Sequence, residues 1–400
     1  MKKILILGAG IYQVPLINTA KRLGIETIVA SIPGNYPGFA IADKVYYENT
    51  TDFEAILRIA KEEKIDGIVT AGTDVAVITI GKVCDALGLA GLSEQAAVIA
   101  TDKLLMKEKY EEFGVRTARF RKIAFDDPDY TSKLEGLKLP LMFKSVDSSG
   151  SRGIVKVDAS SEFDAAREVV RNNTRSDYFI IEEFIKGEEF GAQAFVKDGE
   201  VQFILPHGDY VFEGDTGVPI GHFAPYELKP EAVEDVKKQL TGAIRAMGLD
   251  NCAINADFIL KDDETYVLEI GGRSGATCLA ELTSIYYNFD YYEKILLSAL
   301  GEEVDFSPVA PAAADRGIPN ASRLLMSDVD GVIAEQVNRN PESDRIYEVQ
   351  FDYKEGDEVH AFRVGPHRIG HVITLGDTLD DAVAALDDAL SGIEIKVTPL

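Results

Sequence analysis

The sequence predicts a multidomain protein of mixed class: an N-terminal parallel α/β domain, then an α+β core of two lobes, then a small C-terminal α+β domain. Three observations carry this. Residues 1–100 alternate buried-strand runs with helical patterns, residues 101–305 carry strand runs separated by tight turns, and residues 320–400 follow a Pro/Ala-rich connector and close on a strand and a helix. A chain of 400 residues is also too long for one core, so two to four domains are expected.

In order, "KILILGA" reads as a buried strand, "VPLINTAKRLG" as a helix ending at Gly24, and "ETIVAS" as a second strand. "DFEAILRIAKEEK" is a capped helix, "IDGIVTA" a third strand, and "DVAVITIGKVCDALG" a further helix. A charged helix, "DKLLMKEKYEEFG", opens the core. Short strands around 140–157, a helix near 162–173 and the strand "YFIIEEFI" follow, making a small lobe over about 115–187. A large lobe over about 188–305 holds "AQAFVKDG", "EVQFILP", "CAINADFIL" and "TYVLEIG" as strands, with helices near 230–247 and 278–300. The tyrosines between Tyr286 and Tyr292 read as packing for a helix face and its turn. "DFSPVAPAAADRG" is the connector, and residues 306–400 form the last domain, with "RIGHVITLG" as a strand and "DTLDDAVAALDDAL" as a helix.

Composition narrows the function classes. The chain is 46% apolar and 27% charged, as a globular protein is. No apolar run approaches the roughly 18 residues of a membrane span, and "MKKILILGAG" runs from a short strand directly into glycines, so no signal peptide, no membrane partner and a cytoplasmic location are expected. Cys84, Cys252 and Cys278 lie far apart without a CxxC pair, which argues against a disulfide framework or zinc site and for a reducing compartment. A net charge of −26 opposes nucleic-acid binding. Phosphate binding must then depend on a few lysines, backbone N–H groups and metal.

Two glycine-rich stretches bear on this. "GAGIYQ" follows a strand and opens a helix, but Gln13 stands where a dinucleotide site needs its third glycine, and the second strand ends "VASIPG" without the acidic ribose ligand. A tight turn is the simpler reading. "PLMFKSVDSSGSRGI" instead places Lys144 at a strand end before a loop of small residues, the reverse of a P-loop. Lys103 opens a helix upstream, and two lysines beside a nest of N–H groups suit a polyphosphate. "IIEEFIKGEEF" suits a nucleotide hinge, whose backbone would read an adenine edge while a following carboxylate accepts from ribose hydroxyls. In "NADFILKDDETYVLEIGGRSGAT", hairpin pairing would put Asp257 and Glu269 on one face. Such a pair is costly without a cation, and magnesium suits carboxylates plus phosphates. Arg273 could hold a transferring phosphoryl group or a substrate carboxylate. His207 and His222 lie on segments able to face a pocket, although ordinary surface or core histidines are the simpler reading; His360, His367 and His371 are assigned no role.

Together these residues resemble the ATP-grasp superfamily of ADP-forming carboxylate–amine and carboxylate–thiol ligases over nearly the whole chain, and the tail, with "DGVIAEQV" and "RIGHVITLGDTLDDAVAAL", resembles the L-amino-acid ligase-like branch. The resemblance implies that residues 1–100 are the Rossmann-like domain preceding an ATP-grasp core. It implies that Lys103 and Lys144 contact ATP phosphates, Lys144 also serving catalysis, beneath a cover of Ser148, Ser149, Gly150, Ser151 and Gly153. Glu182, Phe184 and Ile185 would bind adenine, mainly through backbone, and Glu189 the ribose. Asp257 and Glu269 would hold Mg2+, two ions in the family's usual pattern, and Arg273 would stabilise an acyl phosphate. Gly271 departs from the usual Glu-x-Asn-x-Arg, with Asn255 an outside candidate for the missing amide.

The implied reaction joins a carboxylate, such as an amino acid, to an amine through an acyl phosphate. The implied partners are small molecules, and a homodimer is compatible with the family. A carboxylase or carbamoyl-phosphate-type ATP-grasp step is the alternative, and a dinucleotide-dependent oxidoreductase the remote one. Lys144→Ala and Glu269→Ala are each expected to abolish ATP turnover with the fold intact.

Overall fold

Strands β1 (Lys3–Leu7), β2 (Glu26–Ser31), β3 (Lys44–Tyr47) and β4 (Gly67–Val69) pair in parallel in the order β3-β2-β1-β4. This description comes from a computed structural model that describes residues 1–148, 150, 152–213, 217–309 and 317–400. Burial on both faces explains the unbroken apolar run of β1: Ile4 and Ile6 join one hydrophobic cluster and Leu5 and Leu7 another. Helices α1 (Val14–Arg22), α2 (Pro37–Ile41), α3 (Phe53–Glu63) and α4 (Val77–Leu87) complete the unit. Asp52 caps α3 by accepting from the Ala55 amide at 3.1 Å. Helix α5 (Glu94–Ile99) leads to α6 (Lys103–Phe113), where Asp102 accepts from the Leu104 and Leu105 amides.

The small lobe is an antiparallel sheet, β5 (Phe120–Ala124), β6 (Leu141–Lys144), β7 (Ile154–Val157) and β8 (Tyr178–Glu183), ordered β5-β8-β6-β7 and backed by α7 (Phe163–Arg171). The large lobe builds on β9 (Glu188–Lys197), β10 (Glu200–Val211), β11 (Pro219–Ala224), β12 (Cys252–Lys261) and β13 (Glu264–Gly271), with α8 (Pro230–Met247). The helical stretch expected near 278–300 is two helices, α9 (Leu279–Tyr287) and α10 (Tyr291–Ala299). Asn288 turns left-handed at φ 54°, and Asp290 starts a new helix by accepting from the Glu293 amide. Tyr287, Tyr291 and Tyr292 are buried around this break.

The C-terminal segment supplies β14 (Asn320–Leu325), β15 (Gly331–Asn338), β16 (Ile346–Phe351), β17 (Glu358–Val359), β18 (Gly370–Leu375), α11 (Leu379–Ser391) and β19 (Ile393–Pro399). Three of its strands, β14, β16 and β18, join the large sheet, while the other three form a sheet of their own ordered β17-β15-β19. The large sheet runs β13-β12-β9-β10-β11-β14-β18-β16, so one ladder continues from the core through the expected boundary at 306. The N-terminal unit shares a core as well, since Ile4 and Ile6 cluster with Phe195, Tyr291 and Leu296. No helix among the described residues is long and apolar enough to cross a membrane.

Candidate active site

Between the lobes, the N-terminal loops and the C-terminal segment lies a cleft of about 1420 Å³. That exceeds the roughly 300–1,000 Å³ of a single small-molecule pocket. Its floor is the large sheet. Hairpin β12–β13 sets Asp257 directly opposite Glu269, and the same row continues through Gly191 on β9 to His207 on β10. Residues in such a row share a face, so both carboxylates point into the cleft. Burial first, then the Glu269 charge, pushes the Asp257 carboxyl up to about 7. A cation between the two groups would reverse that cost, and the pair fits magnesium on its donor chemistry.

Cations approach from α6 and the small lobe. The Lys103 ammonium lies 3.1 Å from Glu269 Oε1 and donates to the Ser148 carbonyl at 2.7 Å. Lys144, at the end of β6, is paired with Glu182 on β8. The other oxygen of Glu182 meets Lys107 at 2.6 Å, and Glu182 itself is 1% exposed. Burial would raise this carboxyl, but the flanking lysines outweigh it and hold it at about 2. The Glu182 side chain is therefore a buried counter-ion for two lysines, a role absent from the sequence reading. Lys107 was missed altogether. Its signal was the Lys103–Lys107 spacing of four, which puts both on one helix face.

The expected phosphate cover is described in part. Gly150 and Gly153 both turn at φ 67°, and a Cβ on Gly153 would sit 2.7 Å from Ser145 Oγ. Ser148 donates its hydroxyl to the Asn173 carbonyl and turns its own carbonyl to Lys103. Ser149 and Ser151 lie outside the described residues. At the hinge, the Phe184 amide donates to the Pro140 carbonyl at 3.0 Å. Glu189 lines the cleft; Phe184 and Ile185 are not among the described residues that do.

Arg273 also lines the cleft, but it is engaged. Its Nε and one terminal nitrogen each donate to Asp74 at 2.8 Å, a two-bond fork joining the loop after β4 to the core. Burial disfavours the guanidinium charge, and Asp74 more than compensates, raising its pKa. Gly271 belongs to this arrangement: a Cβ there would lie 3.2 Å from Asp74 Oδ1 and 3.4 Å from Arg273 Cζ. Asn255 faces Gly271 in register, and its side-chain oxygen accepts from Gln193 at 2.6 Å. Asp74 and Gln193 had no sequence signal, since both act through distant partners. At the front glycines, Gln13 Oε1 would meet a Cβ on Gly8 at 2.9 Å and on Gly10 at 3.3 Å, while its amide nitrogen donates to the Ala71 carbonyl. Gln13 thus fills the space above the turn.

Comparison with known proteins agrees with this geometry. Residues 137–281 match the ATP-grasp domain, and residues 323–398 match the L-amino acid ligase C-terminal domain 2. A phosphoribosylglycinamide synthetase structure from Anaerococcus prevotii is 35% identical, with a TM-score of 0.84, over 99% of this chain and 100% of its own. The chain belongs to the ATP-grasp ligases. The formate-dependent phosphoribosylglycinamide formyltransferase of Methanocaldococcus jannaschii is 26% identical over 78% of this chain and 79% of its own length. The alanine–anticapsin ligase of Bacillus subtilis strain 168 is 24% identical over 61% of this chain and 60% of its own. An L-amino acid ligase structure from Bacillus licheniformis shares the fold at TM-score 0.80, with 19% identity over 100% of this chain and 99% of its own. The protein is accordingly an enzyme, an ADP-forming ATP-grasp ligase of the carboxylate–amine type, and ATP-grasp enzymes in general use ATP and magnesium.

Proposed function

We propose that this ligase activates an amino-acid or similar small carboxylate as an acyl phosphate and joins it to a second amine-bearing molecule. The observation that carries the reading is the row Glu269–Asp257 facing Lys103 and the Lys144–Glu182–Lys107 cluster across one cleft. In the first step a substrate carboxylate oxygen bonds to the γ-phosphorus of ATP, the bond to the bridging oxygen breaks, and ADP leaves. In the second an amine bonds to the acyl carbon and phosphate departs. Such transfers depend on positioning and charge neutralisation, which suits this set of groups.

Lys103 and Lys144 neutralise the polyphosphate, and Glu182 holds Lys144 at the end of a rigid strand. Asp257 and Glu269 hold magnesium, which when bound offsets the charge of the transferring phosphoryl group. Arg273, aimed by Asp74, presents its remaining edge to the substrate. The backbone after Glu182 binds adenine, Glu189 the ribose, and the loop from Ser148 to Gly153 covers the phosphates. The proposed units are the N-terminal residues 1–100, the ATP-grasp core 101–305 and a C-terminal wall that completes the cleft through Asp352, Tyr353 and Gly365.

A second reading takes its acceptor from the phosphoribosylglycinamide named for the Anaerococcus prevotii relative. The acidic lining of the cleft favours the first. Its described lining includes Asp74, Asp352 and Asp357; Asp74 is paired with Arg273, and Asp352 with Arg368, which lies behind the lining. A phosphate monoester would need cations that those carboxylates already occupy. ADP release should be measured with the twenty L-amino acids singly and in pairs, and with formate plus phosphoribosylglycinamide. Turnover on amino-acid pairs supports the proposal; turnover restricted to the ribonucleotide refutes it.

A further inference from the structure

Beyond the magnesium carboxylates the floor of the cleft carries a second polar group that the phosphoryl chemistry does not use. His207 and Asp209 alternate on β10 and so share a face, and His222 on β11 stands directly opposite Asp209. The Nδ1 atoms of His207 and His222 lie 3.0 and 2.6 Å from the same oxygen, Asp209 Oδ1. Both histidines are 2% exposed, and all three residues line the cleft. We propose that this group is the subsite for the amine substrate, and that His207 Nε2 takes a proton from the incoming ammonium group before it attacks the acyl phosphate. The inference rests on the ligase reading above.

Hydrogen-bond logic assigns the tautomers. An ionised carboxylate only accepts, so each Nδ1 carries the hydrogen, and in a neutral imidazole of that tautomer Nε2 is the acceptor. Burial would raise the Asp209 carboxyl, but His222 and His207 outweigh it and hold it well below the ordinary range. Burial likewise lowers His222, which favours its neutral form. His207 Nε2 is buried without a hydrogen-bond partner among the described residues. A buried acceptor left unsatisfied is costly, so a donor that arrives with substrate is favoured at this atom.

Its direction is defined by Gly191. A Cβ on Gly191 would collide with His207 Cε1 and sit 2.5 Å from Nε2. The imidazole therefore lies over the glycine gap in the row, with Nε2 towards Asp257, the register partner of Gly191 on the next strand. Asp257, Glu269 and the paired Arg273 are the other charged groups of the floor beside it. An acyl phosphate anchored at Asp257 and Glu269 would present its carbon towards this gap.

The proton balance is complete within the group. An ammonium nitrogen cannot attack; transfer of one proton to His207 Nε2 frees its lone pair. The C–N bond then forms, the acyl C–O bond to phosphate breaks, and the second nitrogen proton leaves with inorganic phosphate. Asp209 and His222 are positioning residues: Asp209 fixes the tautomer of His207 and spreads the imidazolium charge, and His222 orients Asp209.

Hydroxylamine provides the test, because its nitrogen is already unprotonated at neutral pH and needs no base. ADP release by the full chain is measured with each L-amino acid as carboxylate and either hydroxylamine or glycinamide as acceptor. In His207→Gln the ratio of glycinamide-supported to hydroxylamine-supported release should fall about 10²- to 10⁴-fold. Asp209→Asn, which keeps side-chain size, should lower the same ratio and serves if His207→Gln does not fold. A structural role would slow both acceptors alike, so an unchanged ratio in a folded variant overturns the proposal. Zinc or iron bound by the purified wild type and lost in His207→Gln would make the group a metal site and overturn it too. A wild type that turns over with neither acceptor refutes the ligase reading itself and the inference with it.

Discussion

Replacing Asp257 by Asn tests the electrostatics of the cleft floor most directly. The ionised carboxylate is held against burial and against Glu269, which moves its titration from 3.8 to about 7. That displacement corresponds to about 4 kcal/mol, a ceiling because Asp257 is only partly buried and cleft water screens it. Below about pH 4 both folded and unfolded chains keep this proton, and the group contributes nothing. Between there and pH 7 the folded chain retains a proton the unfolded chain has lost, so this carboxyl's contribution to stability declines as pH rises and levels off above about pH 8. Asp257→Asn removes the penalty. In EDTA at pH 8 the variant should melt a few degrees above the wild type, with the gap closing towards pH 4. Magnesium should raise the wild-type melting temperature and barely move the variant, and ATP turnover should be lost. Because cation and proton compete, wild-type magnesium affinity should weaken as pH falls below about 7. A variant that melts at or below the wild type in EDTA at pH 8 refutes the reasoning.

Three further outcomes follow from the same geometry. Lys144→Ala leaves Glu182 buried with one lysine, so it should destabilise the fold by about 3–5 kcal/mol in urea titration as well as abolish turnover, contrary to the intact fold expected from sequence. Adding Glu182→Gln should recover stability but not ADP release; wild-type unfolding by Lys144→Ala alone would remove the counter-ion argument. Glu269→Ala should stop ADP release yet unfold close to the wild type, because the Glu269 side chain is 33% exposed, its loss relieves Asp257, and the buried Lys103 keeps its bond to the Ser148 carbonyl. Gly271→Asn, which restores the family's usual residue, should cost about 1–3 kcal/mol by crowding the Asp74–Arg273 fork. A gain in turnover from that substitution would show instead that the fork gives way.

The sequence by itself determined much of this protein. Alternating runs such as "CAINADFIL" and "TYVLEIG" specify a hairpin because a period of two fits only a strand with one face covered, and that pairing alone brought Asp257 opposite Glu269. Capping residues such as Asp52 and Asp102 marked helix starts because their side chains satisfy amides within three residues. Lys144 before a small-residue loop was legible for the same reason: the signal is local. What only the tertiary structure decided was the partner of each charge. Glu182 reads as part of a hinge, but its side chain turns inward between Lys107 and Lys144. Arg273 reads as free, but Asp74, 199 positions away, holds it. His207, Asp209 and His222 became one group only when β11 paired with β10. Local patterns set backbone conformation through steric and hydrogen-bond rules that act over a few residues. Charge pairing depends on which elements the sheet order brings together, and no short-range pattern encodes that.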